Sequence, residues 1–103
     1  MKSNTSKHDA QIPKARHIRR ACSRELYRTA KRLSKHISAE RMEQAEELYV
    51  KRVMLDLPYI AQNGSNKRLL SDWFEEHAAE EIAALWELPP KQVADAFRSA
   101  FGG

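Results

Sequence analysis

The sequence predicts an all-α fold, a compact bundle of four or five helices. Apolar residues recur at spacings of three and four from residue 13 onwards, and no segment alternates apolar and polar residues as a strand does. Only 3 Gly and 4 Pro interrupt the 103 residues. This length suits one hydrophobic core, so we expect residues 13–103 to form a single domain. Residues 1–12 are polar and lack periodicity, which predicts a disordered basic arm.

The first predicted helix begins near Pro13, a residue suited to a first helical turn. Its apolar face consists of Ile18, Cys22, Leu26, Ala30, Leu33 and Ile37. Ser38 follows as an N-cap for the second helix, because its hydroxyl can accept a hydrogen bond from a free backbone N–H. Pro58 lacks an N–H and ends or kinks that helix.

A loop at residues 63–66 precedes the third predicted helix, which begins near Lys67 or Arg68. Its pattern continues to Trp86, either as one helix or with a bend near residues 77–79. The sequence Leu88-Pro89-Pro90 ends it. A last helix is predicted from about Pro90 to Phe101, because its apolar residues recur every fourth position.

Charge is distributed unevenly along the chain. Residues 1–36 contain eleven Lys and Arg against two acids, whereas residues 37–103 contain seven against twelve. The N-terminal third should therefore attract polyanions, and the remainder should not.

A row of arginines in the first predicted helix is the strongest functional signal. The row lies opposite the apolar face, and like charges at this spacing cost roughly 0.2–0.5 kcal/mol per pair. Guanidinium groups fork onto phosphate oxygens, so the row predicts contacts with nucleic-acid phosphates. The predicted contacts are Arg16, Arg19, Arg20, Arg24, Arg28, Arg32 and Lys35.

Two other interpretations of this row remain open. Glutamates that open the second helix (Glu40, Glu43, Glu46 and Glu47) could pair with Lys31, Arg32 and Lys35, which would leave an ordinary charged surface. Alternatively, the row binds an acidic protein partner. Pairing with these glutamates does not extend to residues 16–24, which lie too far along the helix.

A second signal lies in residues 80–101. Seven residues carry it: Glu81, Ile82, Ala83, Leu88, Pro90, Lys91 and Val93. This pattern resembles the helix-turn-helix of response-regulator and quorum-sensing activators and of sigma-factor promoter-reading regions. The sequence departs from the family at Glu87, where the family has a turn glycine, and at Pro89, where it has a capping serine.

The resemblance implies that the exposed face of the last helix enters the major groove. The candidates for reading bases are then Lys91, Gln92, Asp95, Arg98 and Ser99. An ordinary helical hairpin, with Leu88 and Val93 in the core, is the alternative.

The sequence gives little support for catalysis or for binding of a metal or cofactor. The four histidines and Cys22 lack metal-ligand spacing, and no catalytic or cofactor-binding motif occurs, so we expect a protein that is not an enzyme and has no metal or cofactor. The single cysteine and the absence of a signal sequence or long apolar run predict a cytoplasmic location without membrane contact. The sequence predicts that its large aromatic residues lie in the core, namely Trp73, Phe74, Trp86, Phe97 and Phe101. The alternative is that some of them form an apolar dimer seam, for which Trp86 is the best candidate.

The leading functional hypothesis is a small DNA-binding transcriptional regulator, expected to be a homodimer, with duplex DNA as its partner. Phosphate contacts would come from the first helix and base contacts from the last. One alternative is a helical protein-binding module of the antitoxin, immunity, adaptor or inhibitor type. Another is an RNA binder without sequence preference.

Overall fold

A computed structural model describes residues 14–103 and shows an all-helical, compact protein. Helices account for 79% of these residues, which confirms the all-α prediction. They are α1 (Ala15–Lys31), α2 (Ala39–Leu55), α3 (Leu57–Gln62), α4 (Lys67–His77), α5 (Ala79–Trp86) and α6 (Pro90–Phe101). The predicted arm at residues 1–12 and the predicted start at Pro13 lie outside the described residues.

The first helix is shorter than predicted. It ends at Lys31 rather than near Ile37, and the N–H of Arg32 caps it by donating to the carbonyls of Thr29 and Ala30. The apolar spacing continued past this point because Leu33 and Ile37, in the linker, pack half-buried against the core. Apolar residues at spacings of three and four therefore occur both in α1 and in the linker that follows it, and this spacing alone does not show where the helix ends.

The helix boundaries from residue 38 onwards follow local chemistry. The Ser38 hydroxyl accepts from the Arg41 N–H at 3.2 Å and starts α2. Pro58 falls in the first turn of the short helix α3, where a missing N–H does no harm. The Asn66 side chain accepts from the Leu69 N–H at 3.0 Å and starts α4.

Residues 67–86 form two helices rather than one. Ala78 separates α4 from α5 with φ −128° and ψ −32°, and both Ala78 and Ala79 are buried. This bend and the short helix α3 account for six helices in the described chain, where the sequence predicted four or five.

Helix α6 occupies the centre of the packing, against α1, α4 and α5, while α2 packs on α1 and α5. The Phe97 ring stacks on Phe74 with centroids 3.9 Å apart, and Tyr49 meets Phe74 edge-on at 5.6 Å. Leu26, Ile82 and Phe74 are fully buried. The core thus joins both ends of the described chain.

Trp86 belongs to this core. It is 2% exposed, and its indole N–H donates to the Arg41 carbonyl at 3.4 Å. The prediction that it lies in the core is confirmed, and the alternative, a dimer seam at Trp86, is wrong because α2 already covers the ring. No helix in residues 14–103 is both long and apolar enough to cross a bilayer.

Candidate nucleic-acid interface

Helix α1 separates a buried face from a strongly basic one. Ile18, Cys22, Leu26 and Thr29 are buried. The opposite side exposes a surface that we call the basic face, formed by Arg16, Arg20, Arg24, Arg28 and Lys31, with Arg19 at its edge. Steps of four residues turn a helix about 40° beyond a full turn, so the row winds slowly around α1 but stays continuous.

Within residues 14–103, no carboxylate oxygen lies within 4.0 Å of a basic-face cation; the ion pairs all involve other cations. The pairing considered for Lys31 and Arg32 with glutamates of α2 is therefore not made in this part of the chain. No ion pair in this part of the chain therefore offsets the repulsion between neighbouring cations of the row.

The row turns toward α6 at its C-terminal end. The Arg28 guanidinium lies 5.1 Å from the centroid of the Phe101 ring, a distance typical of a cation–π contact. Phe101 closes the last turn of α6. Arg28 thereby links the basic face to the core, while Arg16, Arg20 and Arg24 point away from it.

Glu25 is the one carboxylate on α1, and it points inward. The Tyr49 hydroxyl donates to it at 2.6 Å. Burial raises the pKa of Glu25, while the Tyr49 hydrogen bond and the nearby charges of Arg24 and Arg28 act in the opposite direction. Glu25 therefore offsets only part of the positive potential of the basic face.

The last two predicted phosphate contacts are not part of this helical row. Arg32 follows the end of α1, and Lys35 lies in the linker, where its ammonium donates to the carbonyls of Trp86 at 3.0 Å and Glu87 at 3.3 Å. Lys35 thus caps the C-terminus of α5, a position where a cation is favourable. Its placement with the row was wrong because α1 ends four residues earlier.

One further residue of the basic face, Tyr27, was not predicted from the sequence. Tyr27 is 55% exposed, and it lies one turn from Arg24 and Lys31, at spacings where helix side chains are neighbours. Its position, three residues after Arg24 and out of phase with the buried positions of α1, was the available signal. An exposed aromatic ring among cations offers a stacking surface for a base.

The predicted base-reading residues share the exposed side of α6, but ion pairs occupy three of them, Lys91, Asp95 and Arg98. The Lys91 ammonium lies 3.4 Å from the Asp95 carboxylate. The Arg98 guanidinium contacts Asp72 at 2.6 Å and Glu75 at 2.7 Å, both on α4. Gln92 and Ser99 are exposed on the same side. Together with Asp72 and Glu75 of α4, this surface holds three acids against the two cations Lys91 and Arg98, unlike the face of α1.

The turn between α5 and α6 has a defined geometry. Glu87 adopts the left-handed conformation with φ 58° and ψ 48°, at the position where the helix-turn-helix pattern that the sequence resembles has glycine. Lys35 and Arg41 hold this turn, because Arg41 donates to the Leu85 carbonyl and its guanidinium lies 3.4 Å from the Glu87 carboxylate. Ala83 and Val93 are fully buried on either side.

Titratable groups elsewhere form no metal site in the part of the chain that the structure describes. Cys22 is buried there, and burial raises the pKa of its thiol to about 12, so the thiol stays protonated at neutral pH. No protein-family model, curated protein or solved structure matches this chain.

Proposed function

We propose that this protein binds nucleic acid, with duplex DNA as the favoured target, through phosphate contacts from the basic face of α1, and that it acts as a small DNA-binding regulator. The observation that carries the proposal is a continuous row of exposed guanidinium groups that form no ion pair within residues 14–103. An ordinary solvated helix face usually interleaves charges of both signs.

The dimensions of the row suit a polyanion. Arg16 and Arg28 are twelve residues apart, or about 18 Å along a helix that rises about 1.5 Å per residue. The major groove of B-DNA is about 12 Å wide, so the row can reach phosphates on both sides of a groove. Each contacted phosphate would release condensed counterions, which makes binding favourable at low salt.

The exposed side of α6 has a smaller part in this proposal. Arg98 would have to leave Asp72 and Glu75 before it could contact a guanine, and Asp95 would lie next to phosphates. Gln92 and Ser99 are the candidates whose use breaks no ion pair. We therefore propose that affinity comes from α1, with any base contacts limited to Gln92 and Ser99 of α6.

Tyr27 favours a second candidate, a binder of single-stranded RNA. Bases in a duplex are stacked and hidden, whereas a single strand can place a base on an exposed ring. The Tyr27 ring, which is 55% exposed beside Arg24, would then contribute directly to affinity.

A salt series on charge-reversal variants tests the main proposal. We expect Arg20→Glu/Arg24→Glu to weaken duplex binding at least about tenfold. The negative slope of log affinity against log salt should become shallower by about two, since each lost phosphate contact removes about one released counterion. The matched control is Lys51→Glu/Arg68→Glu, which reverses two exposed cations on α2 and α4. Equal losses in both variants, or wild-type binding that ignores salt, would contradict the proposal.

Competition between duplex DNA and single-stranded RNA separates the two candidates. Tyr27→Ala should leave duplex affinity nearly unchanged if phosphates dominate, and should reduce single-strand affinity by several-fold if a base stacks on the ring. A complex with one acidic protein that persists after nuclease treatment, together with no nucleic-acid binding at low salt, would replace both candidates with the protein-binding alternative.

A further inference from the structure

A cavity of about 430 Å³ lies between α1, α2, α3, α4 and α6. Its walls include Val53, Leu57, Ile60, Leu70, Trp73 and Phe97. Such a volume falls in the range of small-molecule sites, roughly 300–1,000 Å³. The cavity reaches the surface beside His17 and Lys67, which are exposed lining residues. It lies on the inner side of α1, away from the basic face.

Apart from Lys67 of α4 at the rim, the charged and polar groups of the cavity are few and lie on α1 and α2. Glu25 is the only acid among the lining residues, and the Tyr49 hydroxyl donates to its carboxylate at 2.6 Å. Cys22, one turn before Glu25, contributes a neutral thiol. A half-buried carboxylate with one direct donor retains unused acceptor capacity, which a ligand can satisfy.

Aromatic rings hold the walls in place. The Trp73 indole N–H donates to the Asp56 carboxylate at 2.8 Å, and the Trp73 and Tyr49 ring centroids are 6.3 Å apart. Phe97 and Phe101 line the cavity with centroids 4.7 Å apart. Aromatic faces attract cations, so rings and carboxylate favour the same sign of charge.

We propose that this cavity binds a small apolar amine, a molecule with an aromatic or alicyclic body and one ammonium group that pairs with the Glu25 carboxylate. The apolar walls would cover the body of the ligand, and the ammonium would occupy the acceptor positions that Tyr49 leaves open. An apolar carboxylate would place its charge against Glu25, and a neutral alcohol would gain no ion pair. Lys67 and His17 remain at the rim, outside this pairing.

Calorimetric titration of the full chain with three matched probes tests the assignment. The probes are 1-naphthylmethylamine, 1-naphthylmethanol and 1-naphthoic acid, which share one ring system and differ in charge. We expect the amine to bind about tenfold or more tightly than the alcohol, as hydrogen bonds to charged groups allow, and the acid to bind most weakly. Equal affinity for amine and alcohol, preference for the acid, or no binding by any probe would overturn the proposal.

Two variants locate the site, and each has a matched control. Glu25→Gln keeps the shape of the side chain and should reduce amine affinity about tenfold while leaving alcohol affinity unchanged; Glu43→Gln, an exposed acid on α2, should change neither. Ala21→Phe, which fills the cavity from α1, should abolish binding, whereas Ala84→Phe on an exposed position should not. Circular dichroism verifies folding of each variant. Amine binding that survives both Glu25→Gln and Ala21→Phe would place it elsewhere and refute the site.

Discussion

At the scale of single residues, burial decides the chemistry of α1 on its inner side. Cys22 and Glu25 are three residues apart and both face α2 and α6, where desolvation raises the pKa of the thiol to about 12 and also raises the pKa of the carboxyl. Burial disfavours the charged form of each group. The inner side of α1 therefore holds a neutral thiol and a carboxylate whose ionisation costs stability.

The ionisation of Glu25 should make folding stability depend on pH. The pKa of Glu25 in the fold lies above its usual value of 4.5, so the folded chain holds this proton more tightly than the unfolded chain. The stabilising contribution of the protonated form is complete below 4.5 and is lost as pH rises through the folded-state pKa. Glu25→Gln removes this loss of stability, because the glutamine amide carries no charge and its oxygen can still accept the hydrogen bond from the Tyr49 hydroxyl.

Urea denaturation of the wild type and Glu25→Gln at several pH values between about 4 and 7 checks this prediction. The variant should gain stability relative to the wild type as pH rises. Glu43→Gln is the control for loss of one exposed negative charge. A stability difference between wild type and Glu25→Gln that is constant across this window would contradict the predicted linkage.

At the scale of elements, the joint between α5 and α6 is the most specialised part of the backbone. Glu87 is the only non-glycine residue with positive φ in residues 14–103. A side chain in the left-handed region costs roughly 1–2 kcal/mol, and here Lys35 and Arg41 hold the turn from the linker and from α2. The turn therefore depends on contacts with residues more than forty positions away in the sequence.

Two substitutions at this joint isolate the free-energy cost of the left-handed backbone conformation at position 87. Glu87→Ala and Glu87→Gly both remove the carboxylate that Arg41 contacts, but only glycine adopts positive φ freely. We expect the glycine variant to be more stable than the alanine variant by about 1 kcal/mol, although glycine disfavours folding elsewhere in a helix. Chemical denaturation of the two variants measures the difference. An alanine variant of equal or higher stability would show that the joint is not left-handed.

At the scale of the whole molecule, α6 connects parts of the chain that are distant in sequence. Phe97 stacks on Phe74 of α4, lines the cavity beside α1 and is 5% exposed. Because α1, α4 and α5 all pack against α6, losing the Phe97 ring should weaken the entire fold and not only its C-terminal end. Unfolding should consequently occur in a single cooperative transition over the described residues.

Phe97→Ala tests this dependence on α6. Removing a buried phenylalanine typically costs about 3–5 kcal/mol, a large share of the roughly 5–15 kcal/mol that stabilises a domain. We expect helical circular dichroism and tryptophan fluorescence to shift together to lower denaturant. Ser99→Ala, on the exposed side of the same helix, should change stability by less than about 0.5 kcal/mol. Separate transitions for the two signals would show that α6 does not unite the core.

The sequence by itself predicted the helical class, most helix boundaries after residue 38 and the basic face of α1. Each depends on interactions within a few residues: the Ser38 cap, the position of Pro58 in α3, the four-residue spacing of Arg16 to Arg28. Local spacing determines which side chains share a helix face. These features therefore needed no knowledge of the tertiary fold.

The tertiary structure alone decided which charged residues already form hydrogen bonds or ion pairs within the fold, and which side chains form a cavity. Lys35 fits the arginine spacing but caps α5, Arg98 fits a base-reading position but pairs with Asp72 and Glu75, and the cavity beside Glu25 needs five helices to form its walls. These partners lie 23 or more residues away in the sequence. A pattern of local spacing contains no information about such contacts, because they arise only when helices pack around a common core.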